Sequence, residues 1–220
     1  MKTVAIASAK GGSAKTVTTV TLAWRAAQDF GRVAMIDLNE DRGTLTQWWT
    51  LRGRTVNPYL LRDRTTLEDD IKVLESERYE VCFIDTPPLD MDLIEMAVIV
   101  ADAVIVPVIP SYFDTSAVDS VVDMCRRRRK PYRFLLCSYD DRKMFAAVNR
   151  EAKASLAGRG DIIKDHLSYS PKYRLAQIDG KTGPEKDAKL APEVSAVWEE
   201  VKALAGIEST VAPLKGHAHG

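Results

Sequence analysis

The sequence predicts an α/β fold: a single domain on a mostly parallel, twisted sheet with helices on both faces. Three observations predict it. Short apolar runs alternate with segments of helical periodicity along the chain. The runs VAMID, VCFID and AVIVPV are continuously apolar rather than alternating, as strands covered on both faces are. Asp37 and Asp85 close two of those runs, which puts both carboxylates at the carboxyl edge of the sheet, where open α/β sheets bind their ligands.

Taken in order, strands are expected near residues 3–8, 33–37, 80–84, 102–107 and 132–138. Helices are expected near 15–30, 66–77, 91–100, 114–128 and 142–157, and Pro192 to Ala205 reads as a terminal amphipathic helix. No linker, repeat or low-complexity block interrupts the series. The domain is expected to run over residues 1–207, and the polar stretch 208–220 reads as a disordered tail.

Between the first strand and the first helix lies AKGGSAKT, Ala9 to Thr16. Consecutive backbone N–H groups in such a turn form an anion nest at the positive end of the following helix. Gly11 and Gly12 allow the backbone angles the turn needs, and Ser13 and Ala14 continue it. Lys15 is placed to reach β- and γ-phosphates, and the Thr16 hydroxyl to hold a Mg²⁺ on the same oxygens. Lys10 precedes Lys15 by five residues, so two ammonium groups can address one triphosphate. A glycine-rich loop alone is a weak signal, whereas strand, loop, Lys-Thr and helix in that order is a strong one.

Composition sets limits on the remainder. At 220 residues and 45% hydrophobic, the chain can bury one substantial core. Its 31 basic and 31 acidic residues cancel, so any nucleic-acid binding must come from a local patch. Cys82, Cys125 and Cys137 are too scattered for a zinc site and read as reduced, buried thiols of a cytoplasmic protein. His166, His217 and His219 form no metal constellation. No apolar run approaches the roughly twenty residues that span a bilayer.

The segments KGGSAKT (Lys10 to Thr16), IDLNEDRGTLTQWW (Ile36 to Trp49) and VCFIDTPP (Val81 to Pro88) resemble, in order and spacing, the signature of the ParA/MinD group of deviant-Walker P-loop ATPases. VIVPVIPSYFDTSAV (Val104 to Val118) and CSYDDRK (Cys137 to Lys143) extend the likeness, which runs to about residue 205 and is greatest to small plasmid-partition proteins. The resemblance implies ATP and Mg²⁺ as ligands, with Thr16, Asp37 and Asp85 around the metal. It implies an ATP-dependent homodimer in which Lys10 reaches the partner's triphosphate, as an arginine finger does elsewhere. It also implies non-specific DNA binding by that dimer and a ParB-like or centromere-binding activator protein. The protein would then be nucleoid-associated when ATP-bound. Pro110 and Pro184 stand where relatives wall the adenine pocket.

Three positions depart from the family pattern. Asn39 replaces the aspartate that positions and polarises the attacking water. Asn cannot accept a proton, yet in a loose transition state positioning outweighs base strength, so slow hydrolysis is expected rather than none. Glu40 or Asp41 are possible substitutes, and Asn39 also suits a plain turn. Ala14 replaces glycine before the P-loop lysine, at a cost of about 1 kcal/mol if that position needs a positive φ. Val17 stands where many relatives have a second threonine near the α-phosphate, so nucleotide affinity is expected to be reduced.

For DNA, two basic groups stand out. Arg126 to Lys130 end a helix, where cations are favourable in any case. Lys164, Lys172, Arg174 and Lys181 lie in the C-terminal region where ParA proteins carry their DNA-contacting residues. The final segment STVAPLKGHAHG has one lysine and no apolar face, so MinD-like membrane binding is not expected. The leading function is a weak, partner-stimulated ATPase that partitions or positions plasmid or other DNA cargo. Alternatives are a non-hydrolysing ATP-gated scaffold, a relative assisting conjugal DNA transfer, and a small-molecule kinase or ligase of the same superfamily.

Overall fold

A computed structural model of the chain describes residues 1–39, 43–61, 65–110 and 116–208. Seven strands form one sheet in the order β3-β2-β4-β1-β5-β6-β7, and every pairing is parallel. They are β1 (Lys2–Ile6), β2 (Val33–Asp37), β3 (Tyr59–Leu60), β4 (Val81–Asp85), β5 (Ala103–Val108), β6 (Tyr132–Tyr139) and β7 (Leu167–Ser168). The five expected strands are present. The two-residue edge strands β3 and β7 were not expected, because they are too short to carry a hydrophobic period.

The described residues form nine α-helices, the last three of which follow the final strand: α1 (Lys15–Asp29), α2 (Thr44–Leu51), α3 (Leu67–Ser76), α4 (Met91–Val100), α5 (Ser116–Arg128), α6 (Ala146–Ala157), α7 (Pro171–Ile178), α8 (Gly183–Lys186) and α9 (Ala191–Ala205). Alternate residues along each central strand feed opposite faces. Val4 and Ile6 of β1 join a core with Leu22 of α1, Trp48 of α2, Tyr173 of α7 and Trp198 of α9. Ala5 and Ala7 join a second core with Leu74 of α3, Ile94 of α4, Val121 of α5 and Leu156 of α6. The sheet is therefore covered on both faces, which is why its central strands read as unbroken apolar runs.

Successive strands lie on either side of β1, so the chain reverses its direction of winding there. The crevice outside a reversal point is where open α/β sheets take ligands. The loop after β1 and the ends of β2 and β4 meet at this place, with Ile6 in register with Asp85 and Asp37 in register with Asp85. The short elements absent from the sequence reading are α2, β3, β7, α7 and α8, and of these β3 pairs with β2 and β7 with β6 at the two edges of the sheet. The tail, expected to begin at 208, lies outside the described residues from 209 on.

Candidate nucleotide site

The loop after β1 is built as an anion cradle. Gly12 has φ 75°, and Ala14 has φ 70° and ψ 22°, so two residues of the loop adopt the left-handed conformation. The position that holds alanine instead of glycine therefore does require a positive φ, and the strain expected of Ala14 is present. No side chain caps α1, and its first turn carries no acidic residue. The uncapped N–H groups at this helix end remain available to an anion.

The lysine and threonine that end the loop are held by specific partners. Lys15 is buried, and its Nζ donates to the Lys10 carbonyl at 2.8 Å across the loop. Ser13 Oγ donates to the same carbonyl at 3.1 Å. Thr16 Oγ1 donates to Asp85 Oδ2 at 2.6 Å. The other carboxylate oxygen, Asp85 Oδ1, is buried with no hydrogen-bond partner among the described residues. Burial pushes the Asp85 carboxyl up to about 7 and the nearby Asp37 carboxylate adds to the rise, while the Thr16 hydroxyl, the Lys15 ammonium and the neighbouring Thr19 hydroxyl, which donates to the Lys15 carbonyl at 3.1 Å, oppose it. An orphaned carboxylate oxygen beside a threonine hydroxyl is a donor set suited to a hard cation and its waters. A Mg²⁺ there would lower the Asp85 pKa and satisfy the orphan.

Asp37, also buried, is held from α2. Its Oδ1 accepts from the Asn39 N–H at 2.9 Å, and its Oδ2 from the N–H and hydroxyl of Thr46 at 3.3 and 3.4 Å. Asn39 itself lines a cleft of about 180 Å³ with Gly11 to Val17, Thr44, Thr86, Pro88 and Gln177. The structure thus brings together Gly11, Gly12, Ser13, Ala14, Lys15, Thr16, Val17 and Asn39 around one opening, with Asp37 and Asp85 beneath it. Lys10 is exposed at the mouth of the loop. Pro110 follows β5 and Pro184 is buried at the start of α8; neither lines this cleft. Glu40 and Asp41 lie outside the described residues.

Thr44, Thr46, Thr86, Pro88 and Gln177 were not singled out from the sequence. For α7, the pair Ser170-Pro171 was a usable signal: Ser170 caps the helix by accepting from the Lys172 N–H at 3.3 Å, and Pro171 follows at the first turn. Thr44 and Thr46 had no such mark, since α2 follows Gly43, an N-terminal neighbour without a capping side chain.

The basic candidates separate. Lys172 and Arg174 are exposed on α7, Lys181 is exposed just beyond it, and Lys164 is exposed ahead of β7. In the Arg126 to Lys130 run, by contrast, three side chains serve the fold. Arg126 bonds the Arg159 carbonyl at 2.8 Å, Arg128 pairs with Glu95 at 2.9 Å, and Lys130 bonds the Ala101 carbonyl at 2.9 Å.

A parallel sheet with a phosphate cradle at its reversal point and two buried carboxylates beneath it defines a P-loop nucleotide-binding domain. Residues 4–182 match the CobQ/CobB/MinD/ParA nucleotide binding domain, and the chain belongs to that family. It is 30% identical over 209 residues to Maintenance of carboxysome distribution protein A of Halothiobacillus neapolitanus, covering 90% of this chain and 95% of that one. It is 32% identical over 210 residues to the protein of the same name from Gloeobacter kilaueensis, covering 91% and 92%. Among solved structures, an ATP complex of McdA from Cyanothece superposes with a TM-score of 0.72 at 19% identity, covering 96% of this chain and 99% of that one. A chain of the MinC:MinD cell division protein complex of Aquifex aeolicus gives 0.72 at 19%, covering 98% of this chain and 99% of that one. No helix among the described residues is long and apolar enough to cross a membrane.

Proposed function

We propose that the protein is an ATP-dependent dimeric switch that binds DNA non-specifically and positions a cargo along it, with slow, partner-stimulated hydrolysis. One observation carries the reading most: Thr16 and Asp85 pair beneath an uncapped, lysine-bearing loop and leave a buried carboxylate oxygen with no hydrogen-bond partner among the described residues. That arrangement is costly in the free protein and is relieved by a bound cation.

The residues divide the work. Backbone N–H groups from Gly11 to Thr16 bind phosphate oxygens, and Lys15 exchanges the Lys10 carbonyl for phosphate charge. Thr16, Asp37 and Asp85 would hold Mg²⁺, directly or through water. When bound, that ion neutralises charge developing on the phosphoryl oxygens. Asn39 orients a water with its amide oxygen but cannot take its proton, so turnover is slow. Lys10, in a second copy, stabilises transition-state charge. Lys164, Lys172, Arg174 and Lys181 supply phosphate contacts to DNA.

A cargo-positioning role is supported by the two relatives named for carboxysome distribution, each matched over nearly its full length. Plasmid DNA remains the alternative cargo and a ParB-like protein the proposed activator. Retention on non-specific duplex DNA, measured with ATP, with ADP and without nucleotide over a range of salt, tests the reading. Retention with ATP only, lost steeply as salt rises, is expected. Equal retention in all three states would refute the gating.

A second reading, a non-hydrolysing scaffold locked by ATP, is favoured by one observation, the presence of Asn39 in the cleft wall. Persistence of the ATP-bound state without release of phosphate would distinguish it.

A further inference from the structure

The phosphate loop forms one wall of the cleft, and α7 supplies a residue to the other side. Gln177 lines the cleft with Val17, Asn39 and Thr44, and its carboxamide makes no hydrogen bond to any described residue. The helix that carries it is fixed in place. Ser170 caps its start, and Tyr173 Oη donates to Glu193 Oε1 of α9 at 2.6 Å. Just past its end, Trp48 Nε1 of α2 donates to the Lys181 carbonyl at 2.8 Å and Arg52 donates to the Gly180 carbonyl at 3.0 Å. A polar side chain on so firmly held a helix meets a ligand with little ordering cost.

Val17 gives that side chain a role. In a phosphate loop the backbone serves the α- and β-phosphates, while the lysine and the hydroxyl residue after it serve the terminal phosphate and its metal. Beyond Thr16, the next residue of α1 is Val17, which offers an isopropyl group and no donor. It packs against the core that holds Trp48 and Tyr173, on the side of α1 that α7 covers.

We propose that Gln177 is a nucleotide-binding residue, its carboxamide donating to the part of the nucleotide common to ATP and ADP beside Val17. The proposal rests on the reading of this cleft as a nucleotide site. It makes α7 a second wall of that site, with the exposed Lys172 and Arg174 on the same helix.

Calorimetric titration of the full chain with ADP and, separately, with ATP, each with Mg²⁺, tests it. Wild-type binding registers the nucleotide site itself, so absence of any binding would overturn the site reading and the proposal with it. Given wild-type binding, Gln177→Ala is expected to weaken ADP and ATP by the same factor, about ten-fold, as loss of a hydrogen bond to a charged group does. Gln177→Glu keeps the shape and adds a negative charge, and should weaken both further. Val17→Thr, made in the Gln177→Ala background, should recover part of the loss, and far more than it adds to the wild-type chain. Unchanged affinities in Gln177→Ala would overturn the proposal. So would a loss confined to ATP, which would put Gln177 at the terminal phosphate, or equal effects of Val17→Thr in both backgrounds. Matching thermal midpoints of the variants separate a binding effect from a folding one.

Discussion

Thr16 and Asp85 meet across the head of the sheet, the hydroxyl donating to one carboxylate oxygen at 2.6 Å while the other is buried with no hydrogen-bond partner among the described residues. The pair joins the first residues of α1 to the end of β4, strands β1 and β4 being neighbours in register from Lys2 and Val81 to Ile6 and Asp85. The site is thus assembled from strand ends and a helix start that are neighbours in the fold.

Asp85 makes metal-free stability depend on pH. Its carboxyl titrates near 3.8 in the unfolded chain and at about 7 in the folded one, so the native state binds the proton more tightly. Stability is therefore highest below pH 4 as far as this group is concerned, and is lost as pH rises from 4 to 7. Urea unfolding in a chelator should show that decline, and Asp85→Asn should flatten it. A wild-type slope of the opposite sign, once other groups are subtracted by comparison with the variant, would contradict the burial argument.

Ala14→Gly should stabilise the protein by about 1 kcal/mol, since alanine at φ 70° bears the left-handed penalty that glycine escapes. Denaturant midpoints measure this directly. Nucleotide affinity should rise or stay level, because the loop conformation is kept.

The sheet's central strands could be read from sequence because each is buried on both faces and so appears as an uninterrupted apolar run, as VAMID, VCFID and AVIVPV do. The phosphate loop was equally readable, its chemistry lying in consecutive residues. The walls of the site were not. The helix α2 is only eight residues, TLTQWWTL, with Leu45, Trp48 and Trp49 buried, and follows Gly43 rather than a capping side chain. The strands β3 and β7 have two residues each and owe their existence to a neighbour's hydrogen bonds rather than to a pattern of their own. Gln177 has no local signature: only the packing of α7 against α1 and α2 brings it to the cleft.

Gly180 sets how closely α7 approaches α2. Its φ is 64°, and a Cβ there would lie 2.2 Å from the Arg52 nitrogen and 2.5 Å from the Leu51 carbonyl carbon. Gly180→Ala should therefore cost about 3 kcal/mol, combining backbone strain with overpacking. It should also weaken nucleotide binding by displacing the wall that carries Gln177. Thermal denaturation and titration of the same variant check both effects.

The role proposed for Asn39 is to hold the attacking water without taking its proton. Asn39→Asp restores a proton acceptor at the position that lines the cleft, and steady-state phosphate release should rise about ten-fold or more. An unchanged rate in a variant that still binds ATP would show that Asn39 does not position the attacking water.

The proposed ATP-gated dimer is tested by molecular mass from light scattering, followed after addition of ATP and Mg²⁺ with ADP as control and Lys10→Ala alongside. A dimer that forms with ATP alone, decays to monomer as nucleotide is consumed, and fails to form in the Lys10 variant is the predicted result. A mass that stays monomeric with ATP, or a dimer indifferent to nucleotide and to Lys10, would contradict it.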